Sequence, residues 1–561
     1  MRGSMKTALA TYLLAASASG LALGAPAAAA EVTVLSAARI HTMDTTQPRA
    51  QALAYGDDGR ILAVGDTVDL LQRYPAARRI DAGSATVIPG LIDAHGHVGG
   101  LGLTRLRADL VDTRSTADVL QRLQAFARDL PIGAWLLGRG WDQNDWPQKR
   151  FPTAADLDAA FPDRPVWLER VDGHAGWANS AAMRVVKRDL AGSWQPDGGK
   201  IERDPAGKPT GVFIDGAMTL VDAVVPAMDE ATTERALVLG MQAAVEHGLT
   251  GVHDAGVSLS QLQRYQRLAD RGQMPLRINA MADGDEQALA SLCRRGLYTH
   301  PSGRLQMRSV KLYVDGALGS RGAAMTDDYS DDAGNRGLLL TQPDALATIT
   351  VKAKACGVQV ATHAIGDRGN HEVLKAYAGA LGNYAGGHRW RIEHAQILAA
   401  ADLPRLAEMQ VIASMQPTHA TSDMPWAQDR VGPQRINGAY AWRQLRDSGA
   451  RLALGSDFPV ESVDPRLGLY AATTRSDAQG LPVGGWHPQE NLTAYEALRG
   501  FTLDAAYAGF AENDVGSLAV GKRADFVLLA QDPLAIAPAQ LRELTVQATY
   551  VDGRPVYVAG K

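Results

Sequence analysis

The chain has 561 residues and only two cysteines, Cys293 and Cys356. Two cysteines exclude a disulfide framework, and without C-x-x-C spacing they exclude a zinc–thiolate cluster. They are compatible with one bridge in an oxidising compartment or with two separate buried thiols. Any bound metal must therefore be held by His, Asp, Glu or a lysine-derived oxygen. Aromatic residues are scarce, at 6%. Excess charge is also missing: 56 Lys and Arg stand against 61 Asp and Glu, for a net charge of −5. With no basic stripe and no polybasic helix, neither nucleic acid nor a membrane surface is an expected partner.

Long apolar runs are absent except at the N-terminus. Met1 to Ser4 reads as a vector leader, with a natural start at Met5-Lys6. The apolar stretch Thr7 to Leu23 leads into small residues ending at Ala30, the pattern of a cleaved secretory signal. A periplasmic or secreted protein is expected, cut after Ala30 and free of membrane in its mature form.

What remains reads as a large α/β middle between two small β-rich ends. Residues 31–85 and 511–561 carry short β-prone runs with hairpin signals at Gly56–Gly59 and Asp552-Gly553. They are expected to combine into one β-sandwich. In residues 86–510, eight strand signals alternate with helical ones, which argues for a closed (β/α)8 barrel. The strands are placed at 87–94, 249–253, 276–282, 310–314, 358–362, 391–393, 411–415 and 452–455. The connection after the first strand, about residues 100–245, is far longer than a barrel loop needs and reads as an insertion. It holds six of the ten tryptophans: Trp135, Trp141, Trp146, Trp167, Trp177 and Trp194.

The chemistry sits where the barrel strands end. Strand one ends in His95-Gly-His97, whose i, i+2 spacing places two imidazoles on one face of a strand. Strand four carries Lys311, strand five ends at His363, strand six at His394 and strand eight at Asp457. One histidine after a strand is an ordinary polar residue, but on a barrel these ends converge on one mouth.

PGLIDAHGH, THAIGD, RIEHAQ and GSDFPV resemble the metal-binding strands of the amidohydrolase superfamily. These are metal-dependent hydrolases on a distorted (β/α)8 TIM barrel with a composite β-sandwich. VKLYVDGALGSRGAAMTDDY and the tryptophan-rich insertion are similar to the branch that includes N-substituted formamide deformylase.

The resemblance implies two divalent ions, zinc by preference, with manganese and iron also compatible with the donor set. His95, His97 and Asp457 would hold one ion, His363 and His394 the other. Lys311 would bridge them as an N-carboxylated lysine, because an ammonium has no lone pair to offer. The implied reaction is hydrolysis of a C–N bond in a small amide, an N-acyl or N-formyl amine, by a bridging hydroxide. Asp457 would shuttle the proton, and His419 after strand seven would stabilise the oxyanion. His174, Trp177, Trp141, His253, Arg321 and Tyr329 are the expected substrate-binding residues. Asp315 is assigned to loop orientation. A lactonase, carbamate or ester hydrolase, or a non-catalytic regulatory protein, is compatible with the same residues. A homodimer is expected by analogy.

Overall fold

A computed structural model describes residues 31–560, apart from Asp129, Ile132, Asp285 and 383–385. The leader and the expected signal segment lie outside the described residues. No helix among the described residues is long and apolar enough to cross a membrane.

The centre is a parallel barrel of eight strands: β1 (Leu91–Gly96), β2 (Leu249–Val257), β3 (Arg277–Asp283), β4 (Leu305–Tyr313), β5 (Gln359–Ala364), β6 (Arg391–His394), β7 (Ile412–Met415) and β8 (Leu452–Leu454). They pair in sequence order from β1 to β8. Strands such as β5, β6 and β7 are buried along their whole length, as expected where helices cover the outer face and side chains fill the inside. No ladder joins β8 to β1. The seam is closed by single bonds: Asp457 N–H to His95 O at 2.7 Å, and His97 N–H to Phe458 O at 2.7 Å. The approach requires Gly455, since a Cβ there would lie 2.5 Å from Asp93 Oδ1 and 2.6 Å from the His95 nitrogen.

The expected first strand divides at Gly90. Thr86–Pro89 joins the terminal sheet, while Leu91–Gly96 enters the barrel. Pro89 has no N–H to extend a ladder, and a Cβ at Gly90 would fall 2.1 Å from Thr250 Oγ1. The two chain ends do combine. Phe526–Leu529 pairs antiparallel with Thr86–Pro89 in one eight-stranded sheet that runs from Arg554–Val558 to Ile61–Gly65. Leu35, Leu53, Val87, Phe526 and Tyr550, from both ends of the chain, share its core.

The insertion between β1 and β2 builds its own six-stranded sheet. It is tied to the barrel mouth where Arg139 Nη1 donates to Pro459 O at 2.5 Å. Helix α1 (Glu286–Arg295) follows β3, and α2 (Pro343–Ala355) follows the long loop after β4. Cys293 and Cys356 form a disulfide that staples α1 to the C-cap of α2, which decides between the two arrangements their number allowed.

Candidate metal centre

His95, His97, Lys311, His363, His394 and Asp457 all line one cavity of about 890 Å³ at the C-terminal mouth of the barrel. Six positions spread over more than 350 residues meet because parallel strands of one barrel end on one face. One ligand atom from each of His95, His394 and Asp457 lies within 4.8 Å of the others. His97 Nε2 is 3.0 Å from Asp457 Oδ1, and His95 Nε2 is 3.5 Å from it. The rings of His363 and His394 are 4.7 Å apart. Lys311 Nζ lies 3.1 Å from His95 Nε2.

Three of the rings are held by Nδ1. His95 Nδ1 donates to Glu393 Oε2 at 2.5 Å, His97 Nδ1 to Ala255 O at 3.0 Å and His394 Nδ1 to Gln416 Oε1 at 2.8 Å. Each acceptor is an oxygen that cannot donate, so the ring proton sits on Nδ1 and Nε2 carries a lone pair. His363 is turned the other way, with Nε2 at 3.4 Å from Gly316 O; its free nitrogen is Nδ1. Asp315 accepts from the backbone of Ile365, Gly366 and Ala324 at 3.0, 2.8 and 2.9 Å. It fixes the loop that follows β5, as the sequence suggested.

The electrostatics suit a cation. Burial, with Lys311 adding to it, lowers His95 to about 4, and burial also holds His363 and His394 well below the usual histidine range. Burial lowers Lys311 to about 8. Burial would raise the Asp457 carboxyl, yet His95, His97 and His394 keep it below the usual carboxylate range. Asp457 Oδ1 is buried without a hydrogen-bond donor among the described residues. Imidazole nitrogens gathered around a buried carboxylate oxygen are a donor set that fits a divalent cation. All-nitrogen-and-oxygen ligation fits zinc or a neighbouring divalent metal. Two of the residues also carry left-handed backbone, His394 at φ +74° and Asp457 at φ +61°, which is costly for non-glycine residues and tends to gather at functional sites.

Three further histidines line the cavity, and two of them, His419 and His174, come near the proposed ligands. His419, on α3 (Pro417–Asp423) after β7, has Nε2 3.7 Å from Asp457 Oδ2 and stacks on His394 at 5.8 Å. His174, from the insertion, has its ring 5.4 Å from that of His363. Its Nδ1 is 2.6 Å from Asp215 Oδ1. Burial would lower its pKa, but Asp215 raises it to about 9.

Five expected substrate residues lie elsewhere. Trp141 and Trp177 are fully buried in the core of the insertion, with their indole N–H groups on Leu168 O and Thr153 O at 2.9 and 2.8 Å. Gly140 and Asp142 line the cavity, while Trp141 between them packs into the core of the insertion. His253 lies four residues short of the end of β2, inside the barrel below the mouth, and accepts from Arg391 Nη1 at 2.8 Å. Arg321 pairs with Asp331 at 3.1 and 2.9 Å, and Tyr329 Oη donates to Ala323 O at 2.8 Å. Both brace the loop after β4 rather than lining the cavity.

Sequence reasoning missed Glu393 and Gln416, which orient two of the histidines. In a regular strand Glu393 and His394 would face opposite sides. The left-handed backbone at His394 lets both approach His95. Arg391 donates to both oxygens of Glu393. Against the effect of burial, Arg391 and His95 hold that carboxyl well below its usual range. A carboxylate beside a histidine in a strand end was the available signal, since metal-binding imidazoles commonly donate to one.

The chain matches the Amidohydrolase family over residues 78–557. It is 34% identical to the Bacillus subtilis protein YtcJ, over 92% of this chain and 98% of that one. It is 31% identical to an N-substituted formamide deformylase of Arthrobacter pascens, over 92% and 96%. A crystal structure of a metal-dependent hydrolase from Pyrococcus horikoshii superposes with a TM-score of 0.73 at 25% identity, covering 91% of this chain and 99% of that one. Matches of this extent, over a barrel whose mouth gathers nitrogen and oxygen donors, show that the chain belongs to the amidohydrolase family of metal-dependent hydrolases.

Proposed function

We propose that this hydrolase cleaves the C–N bond of a small amide, an N-acyl or N-formyl amine. The observation that carries the reading is the set of free ring nitrogens and the unpartnered Asp457 oxygen on one cavity floor. The deformylase relative supports the bond type. In this reading His95, His97 and Asp457 would hold one divalent ion, zinc by preference, and His363 and His394 a second, with Lys311, N-carboxylated, as a further ligand. When bound, such ions acidify water and polarise a carbonyl. Asp457 takes the proton of the attacking water and returns it to the leaving nitrogen, as a general base placed within reach should. His419 Nε2, which has no hydrogen-bond partner among the described residues, donates to the carbonyl oxygen as it becomes an oxyanion. His174, held by Asp215, orients the acyl group from the insertion side.

An exported location accords with the Cys293–Cys356 disulfide, since such bonds persist in oxidising compartments.

Metal analysis with a panel of amides, esters and lactones tests the reading. Wild type is expected to carry about two metals per chain, as a two-metal site requires, and to prefer amides. Lys311→Ala is expected to lose metal and activity, and short carboxylates are expected to restore both in part. Full activity of Lys311→Ala would exclude the bridging role. Turnover of esters or lactones without amides would exclude the C–N assignment.

A further inference from the structure

The cavity is not neutral beyond its floor. Asp423, at the end of α3, and Glu461, on the loop after β8, face it from two different elements. Neither forms an ion pair among the described residues. Glu461 takes one hydrogen bond, from Ser422 Oγ at 2.6 Å. Asp423 uses only Oδ2, which accepts from Tyr440 Oη at 2.6 Å and Gln396 Nε2 at 2.8 Å. Burial pushes each up to about 7; His419 lowers Asp423 in part while Glu461 raises it, and Asp457 adds to the rise at Glu461. Nearby Arg170 cannot offset them, because Asp142 and Asp172 already hold it.

A second feature points the same way. Thr418, one turn before Ser422 on α3, lines the cavity and is only 8% exposed, yet its Oγ1 has no hydrogen-bond partner among the described residues. A buried hydroxyl left without a partner is costly. It lies on the helix that also supplies Ser422 and Asp423, and all three line the same cavity.

We propose that Asp423, Glu461 and Thr418 form a subsite for an ammonium group on the amine side of the substrate. An ammonium has three donors and no acceptor, and this wall offers two carboxylates and a hydroxyl oxygen. The inference rests on the C–N reading above and narrows it to amides of cationic amines, such as mono-acylated diamines. Neutral amides fit the cavity but leave the acidic wall uncompensated. Acyl groups bearing a carboxylate are repelled by it.

The test compares N-acetyl-1,5-diaminopentane with N-pentylacetamide on the metal-loaded protein. The cationic amide is expected to have the higher kcat/KM by up to about fivefold, the ratio that one charge pair supports, with the advantage shrinking at high salt. In Glu461→Gln and Asp423→Asn the ratio of the two kcat/KM values falls toward one. An equal ratio in wild type, or one unmoved by both variants, overturns the subsite. The matching methanesulfonamides resist hydrolysis, so their binding to the same protein by calorimetry reads the subsite even if no amide is cleaved. Tighter binding of the aminopentyl compound supports the subsite while the C–N reading fails, and equal binding overturns it. Circular dichroism of each variant, with binding of the neutral sulfonamide, shows that the fold and the cavity persist.

Discussion

At the residue scale, the centre depends on which nitrogen of each histidine is occupied. Glu393, Ala255 O and Gln416 take the Nδ1 protons of His95, His97 and His394, which leaves the other nitrogen free toward the cavity. Glu393 is itself fully buried and held by Arg391. Replacing it by Gln keeps the shape but removes the charge that fixes the His95 ring. Metal affinity should fall roughly 10–100-fold, the usual cost of losing such a partner. Chelator competition would measure the fall, and unchanged affinity would show that Glu393 serves only the packing. The corrections at Trp141, His253 and Arg321 are also of this scale. Their neighbours in sequence are cavity residues or strand ends, but the direction of a side chain is set by pleat and register.

At the element scale, two features secure helices outside the barrel strands. The disulfide closes a loop of 63 residues between α1 and α2. On the chain-entropy account, a loop of that size is worth at most about 4 kcal/mol. Cys293→Ser with Cys356→Ser should lower the thermal midpoint while leaving the cavity residues in place, and an unchanged midpoint would show that native packing alone holds the two helices. Helix α4 (Ala494–Gly500) begins with a Thr493–Glu496 capping box, and Glu496 also pairs with Arg443 and Arg446. Burial would raise its carboxyl, yet the hydrogen bonds from Arg443, Thr493 and Arg446 hold it below the ordinary value. A group depressed in the folded state contributes stability above its unfolded pKa of about 4.3 and loses it as pH falls further. Glu496→Gln should therefore cost about 1 kcal/mol at pH 7, in the range of a lost cap. The difference from wild type should shrink below about pH 4; urea midpoints across that range would show it, and a constant difference would contradict the ionic origin.

At the scale of the whole molecule, the barrel and the terminal sheet are joined by charge as well as by apolar packing. Asp552 accepts from Arg277 at 2.5 Å and Arg304 at 2.9 Å, and Arg277 also binds Asp525 at 2.7 Å. Removing Asp552 leaves Arg277 with Asp525 alone and Arg304 without its carboxylate, at a cost of roughly 3 kcal/mol. Asp552→Ala should lower the unfolding temperature with little effect on kcat, because the network lies away from the mouth. A selective loss of kcat would instead mean that the sheet sets the geometry of the centre.

The sequence by itself determined the barrel, the pairing of the two chain ends and the six residues that meet at the mouth. The barrel and the chain ends follow from periodicity, the four histidines and Asp457 from their places at strand ends, and Lys311 from the family resemblance of its segment. The tertiary structure alone decided how the rings are oriented, whether Cys293 and Cys356 pair and which residues face the cavity. Contacts such as Glu393 with His95, or Arg391 with His253, join strands far apart in the chain. They depend on register, barrel closure and the left-handed turns at His394 and Asp457, none of which has a local signature in the amino-acid order.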